Sequence, residues 1–138
     1  MIKPKVLFLC SGNSCRTQMA EGLLRHLAGD RFEVFSAGAD VSALDPEAID
    51  AMREIGIEIA HQEPKDCARF LGQRVSYVIS LCDRQKEQEC PIFPGAIWRL
   101  QWDIENPAKS QSPNQYRKAV RVAREQIRER VLEFVENC

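Results

Sequence analysis

Residues 5–22 read KVLFLCSGNSCRTQMAEG. The segment KVLFL at 5–9 is a short apolar run, the pattern of a strand buried in a parallel sheet. Residues 14–28 then place Met19, Leu23, Leu24 and Leu27 at helical spacing, and Gly29 suits a helix stop. Between strand and helix lies a tight turn, Cys10-Ser11-Gly12-Asn13-Ser14-Cys15-Arg16. Such a turn falls at the carboxyl end of a sheet, where open α/β folds bind ligands.

The turn has the parts of an anion cradle. A helix start presents unpaired N–H groups and the positive end of the helix dipole. Gly12 and Asn13 tolerate the left-handed backbone that lets successive N–H groups converge. Arg16 adds a two-pronged donor that matches a tetrahedral oxyanion. Cys10 closes the strand beneath that positive field, which favours a thiolate. Residues Ser11, Gly12, Asn13, Ser14, Cys15 and Arg16 thus form an oxyanion loop over a cysteine nucleophile. A plainly buried strand cysteine is the simpler reading of Cys10. It leaves the Gly-Asn turn and the arginine six residues on unexplained.

The rest of the chain repeats the strand–helix alternation. Residues 33–37 form a second strand closed by Gly38. Asp45 is an N-cap with Pro46 at the first helical position, Ile49, Met52 and Ile55 are its apolar stripe, and Gly56 ends that helix. A short helix is expected over 65–71 and strands over 76–81 and 96–102. Residues 106–114 are polar and proline-bounded and read as a surface loop. The last helix starts at Ser112-Pro113 with a stripe of Tyr116, Val120, Ala123, Ile127, Val131 and Phe134. Alternating strands and helices imply an α/β fold with a mainly parallel sheet in a single domain over 1–138.

Bulk properties exclude several classes. With 138 residues, 44% hydrophobic and 28% charged, the chain is globular rather than disordered. A net charge of −1 gives no electrostatic reason for nucleic acid or a membrane surface as partner. No apolar run approaches the roughly 20 residues that span a bilayer. Residues 1–5 lead straight into the first strand without a signal-peptide pattern, so a cytoplasmic location is expected. Six cysteines are present, at 10, 15, 67, 82, 90 and 138. None is paired at C-x-x-C spacing and only two histidines occur, so no structural metal and no bound cofactor are expected. Catalysis or thiol exchange is the better account.

Cys10-x5-Arg16 followed by TQMAEG resembles the phosphate-binding loop of the low-molecular-weight protein tyrosine phosphatase superfamily. The resemblance is strongest to its thioredoxin-coupled arsenate reductases. It covers nearly the whole chain, through SAG at 36–38, AMREIGIEI at 51–59, ISLCD at 79–83 and the last helix. It implies a three-layer fold, a four-stranded parallel sheet flanked by helices, with the first and third strands adjacent.

The resemblance also implies a chemistry. Cys10 attacks arsenate held by the loop and Arg16. Cys82 releases arsenite by forming Cys10–Cys82, and Cys90 then forms Cys82–Cys90, which thioredoxin reduces. Adjacent strands lie about 4.8 Å apart, so thiols at equivalent strand ends come close. Were the segment from 82 to 90 helical, its ends would be about 12 Å apart. A disulfide needs under roughly 7 Å. The segment therefore has to loop or unwind, and its polar run DRQKEQE loses little core by doing so. Two incidental thiols are the plainer reading of Cys82 and Cys90 taken alone. Cys15 is read as packing within the loop, and Cys67 and Cys138 receive no role.

Supporting positions carry over by the same resemblance. Thr17 matches the hydroxyl that hydrogen-bonds the nucleophile, and Asn13 and Ser36 brace the loop. With Glu21, these match positions that in some reductases hold a potassium ion, but the acidic partner of that ion falls at Lys65. Its ammonium group would stand in for the cation. The superfamily's general acid is an aspartate before a proline, and here Asn106 precedes Pro107. Asparagine has no carboxyl proton to give. Glu105 or Asp103 is then the candidate acid, unless arsenate needs none. The alternative activity is phosphatase chemistry through a Cys10 phosphocysteine. A third reading is oxyanion binding without turnover. Phosphate or sulfate would fill the same loop, and a monomer is expected.

Overall fold

The computed structural model describes residues 2–82, 93–107 and 112–138. Four strands form one parallel sheet: β1 Lys5–Cys10, β2 Glu33–Gly38, β3 Val75–Ser80 and β4 Ala96–Gln101, in the order β2-β1-β3-β4. Register places Phe8 between Ser36 and Ile79, and Cys10 opposite Gly38. The chain leaves β1 toward one side and β3 toward the other. Their exits therefore flank the point where strand order reverses, the usual ligand crevice of such sheets.

Helix α1 Arg16–Ala28 connects β1 to β2, α2 Pro46–Arg53 lies between β2 and β3, and α3 Pro113–Asn137 follows β4. They bury one sheet face. Val6 and Phe8 pack there with Met19, Leu23 and Leu24 of α1, Ala51 and Met52 of α2, and Ile127 and Val131 of α3. The opposite face carries Leu7, Leu9 and Val78, covered by Phe70 and Phe93. That third layer contains the short 3-10 helix Cys67–Phe70, where a helix over 65–71 was expected. Asp66 caps it by accepting the Ala68 N–H at 2.8 Å.

Several elements differ in detail from the sequence reading. α1 begins at Arg16, not at residue 14, because residues 11–15 are used by the turn. Leu27 is 42% exposed, and Ala20 replaces it on the buried stripe. Gly29 ends α1 in right-handed backbone, with its N–H on Arg25 O at 2.9 Å, so it is no left-handed cap. Gly56, at φ +79°, does take that conformation after α2. The loop expected over 106–114 is closed early by a capping box: Ser112 accepts from Gln115 N, and the Gln115 side chain accepts from Ser112 N. No helix among the described residues is long and apolar enough to cross a membrane.

Candidate active site

The turn after β1 closes around the Cys10 sulfur. Asn13 takes φ +52°, the left-handed conformation expected at this turn. That places its backbone N–H 3.2 Å from Cys10 Sγ. Thr17 Oγ1 lies 3.2 Å from the same sulfur. Its oxygen already accepts the Asn13 side-chain amide at 2.8 Å, so the hydroxyl hydrogen is left to donate to sulfur. Two donors converge on the nucleophile, an arrangement suited to an anionic sulfur.

A network of buried amides fixes the turn from behind. Asn13 Oδ1 accepts from Lys65 N at 2.7 Å and from Gln18 Nε2 at 3.1 Å. Gln18 Nε2 also reaches Asn13 O and Glu63 O, both at 3.0 Å. Gln62 in turn donates to Gln18 Oε1 at 2.9 Å. The sequence reading found Asn13 and Thr17 but missed Gln18 and Gln62. No local signal marked Gln18: it is fully buried because the first half of α1 has no solvent face. Ser36 donates to Glu21 Oε1 at 2.5 Å, and Glu21 Oε2 pairs with Arg25 at 2.8 Å.

Arg16 is 2% exposed. Its Nη1 donates to Leu81 O at 3.0 Å and to Ile104 O at 2.9 Å. The guanidinium thus ties the oxyanion loop to the exit of β3 and to the segment after β4. Cys15, at the start of α1, makes no side-chain cap bond. The loop borders a cavity of about 470 Å³ lined by Cys10, Ser11, Gly12, Ser14, Cys15 and Arg16. Asp40, Ser42, Asp45, Asn106, Pro107 and Tyr116 complete its wall.

Cys82 is fully buried two residues beyond β3. Leu81 N still donates to Leu9 O at 2.9 Å, so the ladder between β1 and β3 runs on to the residue before Cys82. Cys10 and Cys82 therefore leave the sheet from adjacent strands. Gln101 Nε2 holds Cys82 O at 2.5 Å. Cys90 lies outside the described residues, as does the polar run before it. Burial, followed by Asp66, raises the Cys67 thiol above its ordinary range, so that cysteine stays protonated.

The family model for low molecular weight phosphotyrosine protein phosphatase matches residues 5–137. The chain belongs to this family. Among its relatives, an arsenate reductase of Halalkalibacterium halodurans is 38% identical over 137 residues, 99% of this chain and 98% of that protein. A solved arsenate reductase in the phosphate binding state superposes with a TM-score of 0.80 at 33% identity, covering 97% of this chain and 98% of the other. A thioredoxin-dependent arsenate reductase of Corynebacterium glutamicum gives 0.75 at 29% identity. That match covers 98% of this chain and 61% of the other.

Asn106, the residue before Pro107, lines the cavity. The two carboxyls considered in its place do not line the cavity itself. Asp103 accepts from Gln101 at 2.9 Å and does not line the cavity. Glu105 lines an adjoining crevice against α3, with Ala119 and Val122, which shares Asn106 and Pro107 with the cavity. Among the described residues, the carboxyls that line the cavity are Asp40 and Asp45. The sequence reading took Asp45 only as an N-cap.

Proposed function

We propose that this chain reduces arsenate to arsenite by a relay of cysteine thiols. The observation that carries it is the pairing of Cys10, under two convergent donors, with Cys82 at the exit of the adjacent strand. The loop amides and Arg16 receive the oxyanion. The Cys10 thiolate attacks arsenic in dihydrogen arsenate, and one arsenic–oxygen bond breaks. The departing oxygen leaves as water, taking both protons from the substrate. This route needs no carboxyl at Asn106.

Cys82 then attacks the Cys10 sulfur. The sulfur–arsenic bond breaks and its electron pair stays on arsenic, which falls from As(V) to As(III). The Cys82 proton goes to the departing arsenite. Cys90 attacks Cys82 in the same manner, returning Cys10 as a thiol and leaving Cys82–Cys90. A dithiol protein of the thioredoxin class reduces that disulfide. In this reading the chain acts as a cytoplasmic monomer in arsenic detoxification, without a bound cofactor. Residues Asn13, Thr17 and Ser36 hold the loop.

Family membership favours one alternative, hydrolysis of phosphotyrosine through a Cys10 phosphocysteine. Asn106 weighs against it, because an aryl oxide leaving group depends on a proton donor. One experiment separates the two: arsenite release with thioredoxin, thioredoxin reductase and NADPH, in wild type and in Cys10→Ser, Cys82→Ser and Cys90→Ser. Loss of turnover in all three variants is the expected result. A wild type inert toward arsenate but active on an aryl phosphate, with only Cys10 essential, overturns the relay.

A further inference from the structure

Two carboxylates stand in the wall of a cavity shaped for an anion. The segment that carries them is fastened to the oxyanion loop by its backbone. Asp40 N donates to Ser11 O at 2.7 Å, Ser42 N to Gly12 O at 2.9 Å, and Asp45 N to Ser14 O at 2.9 Å. Both side chains are thereby anchored relative to the anion seat. Asp40 is exposed, whereas Asp45 is only 4% exposed.

Asp45 is held at both oxygens. Oδ1 accepts the Glu47 N–H at 3.0 Å, and Oδ2 accepts the Tyr116 hydroxyl from α3. Burial, and then the hydrogen bond to Asp45, raise the Tyr116 phenol, so it keeps its proton and goes on donating to Asp45. Each carboxylate oxygen has about two lone-pair sites. One therefore remains on each oxygen after these two bonds, and the Tyr116 oxygen also remains an acceptor.

An acceptor beside an oxyanion acts in two opposite ways. It repels an unprotonated oxygen and takes a hydrogen bond from a protonated one. At neutral pH arsenate and phosphate carry at least one proton, and sulfate carries none. We propose that Asp45, oriented by Tyr116, is a specificity-determining acceptor that favours protonated tetrahedral oxyanions over sulfate, which narrows the expectation from sequence that phosphate or sulfate fills the loop alike. Discrimination works as it does wherever a site built to bond a substrate hydroxyl meets an analogue without one. The inference rests on the oxyanion site proposed above and states which oxyanions that site takes.

Calorimetric titration of the reduced protein with inorganic phosphate and with sulfate, at neutral pH, tests it. Phosphate is expected to bind tighter than sulfate by on the order of tenfold or more. Asp45→Asn keeps a good N-cap but exchanges an acceptor oxygen for an amide donor. The phosphate-to-sulfate ratio should fall about tenfold in that variant. A ratio within one variant is unmoved by a general loss of affinity, so a purely structural role for Asp45 does not mimic the result. Tyr116→Phe should lower the ratio in the same direction, and it carries the test if Asp45→Asn does not fold. Equal affinities in wild type, or a ratio unmoved by the substitutions, overturn the selectivity and leave the oxyanion site standing. Binding of neither anion overturns the site and the selectivity together.

Discussion

Lys65 Nζ lies 3.4 Å from Glu21 Oε1, inside the ring of polar groups that braces the oxyanion loop. Its side chain is 13% exposed, and Nζ also donates to Glu63 O at 2.7 Å. Glu21 is itself tied to Ser36, and the Lys65 backbone N–H is tied to Asn13. The family resemblance implies a potassium ion among these positions in some reductases; here Glu21 faces the Lys65 ammonium group instead.

Wild type is therefore expected to bind phosphate equally well in potassium and sodium chloride. Lys65→Asp should weaken phosphate binding in sodium and recover it in potassium, because the added carboxylate needs a counter-charge beside Glu21. Titration in the two salts checks this. A potassium response in wild type would defeat the assignment.

Gly38 sits where β2 meets the loop. A Cβ there would lie 2.8 Å from Ser11 O and 2.9 Å from Asn13 N, both backbone atoms of the cradle. Backbone has no rotamer with which to escape, so Gly38→Ala should destabilise the fold by about 1–3 kcal/mol. It should also weaken phosphate binding, because the displaced atoms belong to the binding loop. Gly56 supplies the contrast. It has φ +79° and nothing within 4 Å of a built Cβ, so Gly56→Ala should cost about 1–2 kcal/mol in stability alone. Urea unfolding beside phosphate titration separates the two glycines. An unchanged affinity in Gly38→Ala would show that the loop tolerates the shift.

Much of this site was legible because its signals are local. The strand, turn, left-handed Asn13 and Arg16 fall within residues 5–16, and each follows from local chemistry over a few positions, whereas Thr17 came from the family resemblance. The Asp45 cap was legible for the same reason, through Pro46 beside it. What Asp45 faces was not, since Tyr116 reaches it from 71 residues away. Tyr116 read as part of an apolar stripe, and it is indeed packed against the core, while its hydroxyl donates to Asp45. Gln18 and Gln62 escaped because a polar residue, in a helix or in a loop, is ordinarily solvated. Only the pairing across 44 residues shows that these two are buried and mutually satisfied. Adjacency of β1 and β3 came from the family resemblance, since alternation alone leaves strand order open.

The face joining α2 to α3 predicts how acid affects stability. Arg121 and Arg124 approach Glu54 at 2.6 and 2.7 Å. Hydrogen bonds from these two arginines lower the Glu54 carboxyl from 4.5 to about 2. The folded value lies below the unfolded one, so the contribution is complete above the unfolded value. It disappears as pH falls through the folded value. Glu54→Gln should flatten the acid limb of the stability curve in that window. At neutral pH the loss should be small, because the pair is open to water and screened. Urea midpoints at about pH 7 and about pH 3 check the sign. A variant that loses stability equally at both would show that Glu54 acts through packing instead.

Asn106 gives the sharpest test of what this cavity lacks. It lines the space above Cys10 and Arg16 at the position where the family pattern has a carboxyl, while Asp103 and Glu105 do not line that cavity. Asn106→Asp adds a proton donor of nearly the same shape. General acids contribute about 10²–10⁴-fold where the leaving group needs a proton. An aryl phosphate needs one, so its hydrolysis should rise by at least about tenfold. The gain should grow toward acid, because only the protonated carboxyl donates. Arsenate reduction should change little, since the substrate brings its own protons to the departing water. Parallel assays of p-nitrophenol release and arsenite release measure both. If aryl phosphate turnover stays flat, the barrier to phosphatase chemistry lies in the carboxylate-lined wall of Asp40 and Asp45 rather than in the missing acid. The combined variant Asn106→Asp with Asp45→Asn should then recover it.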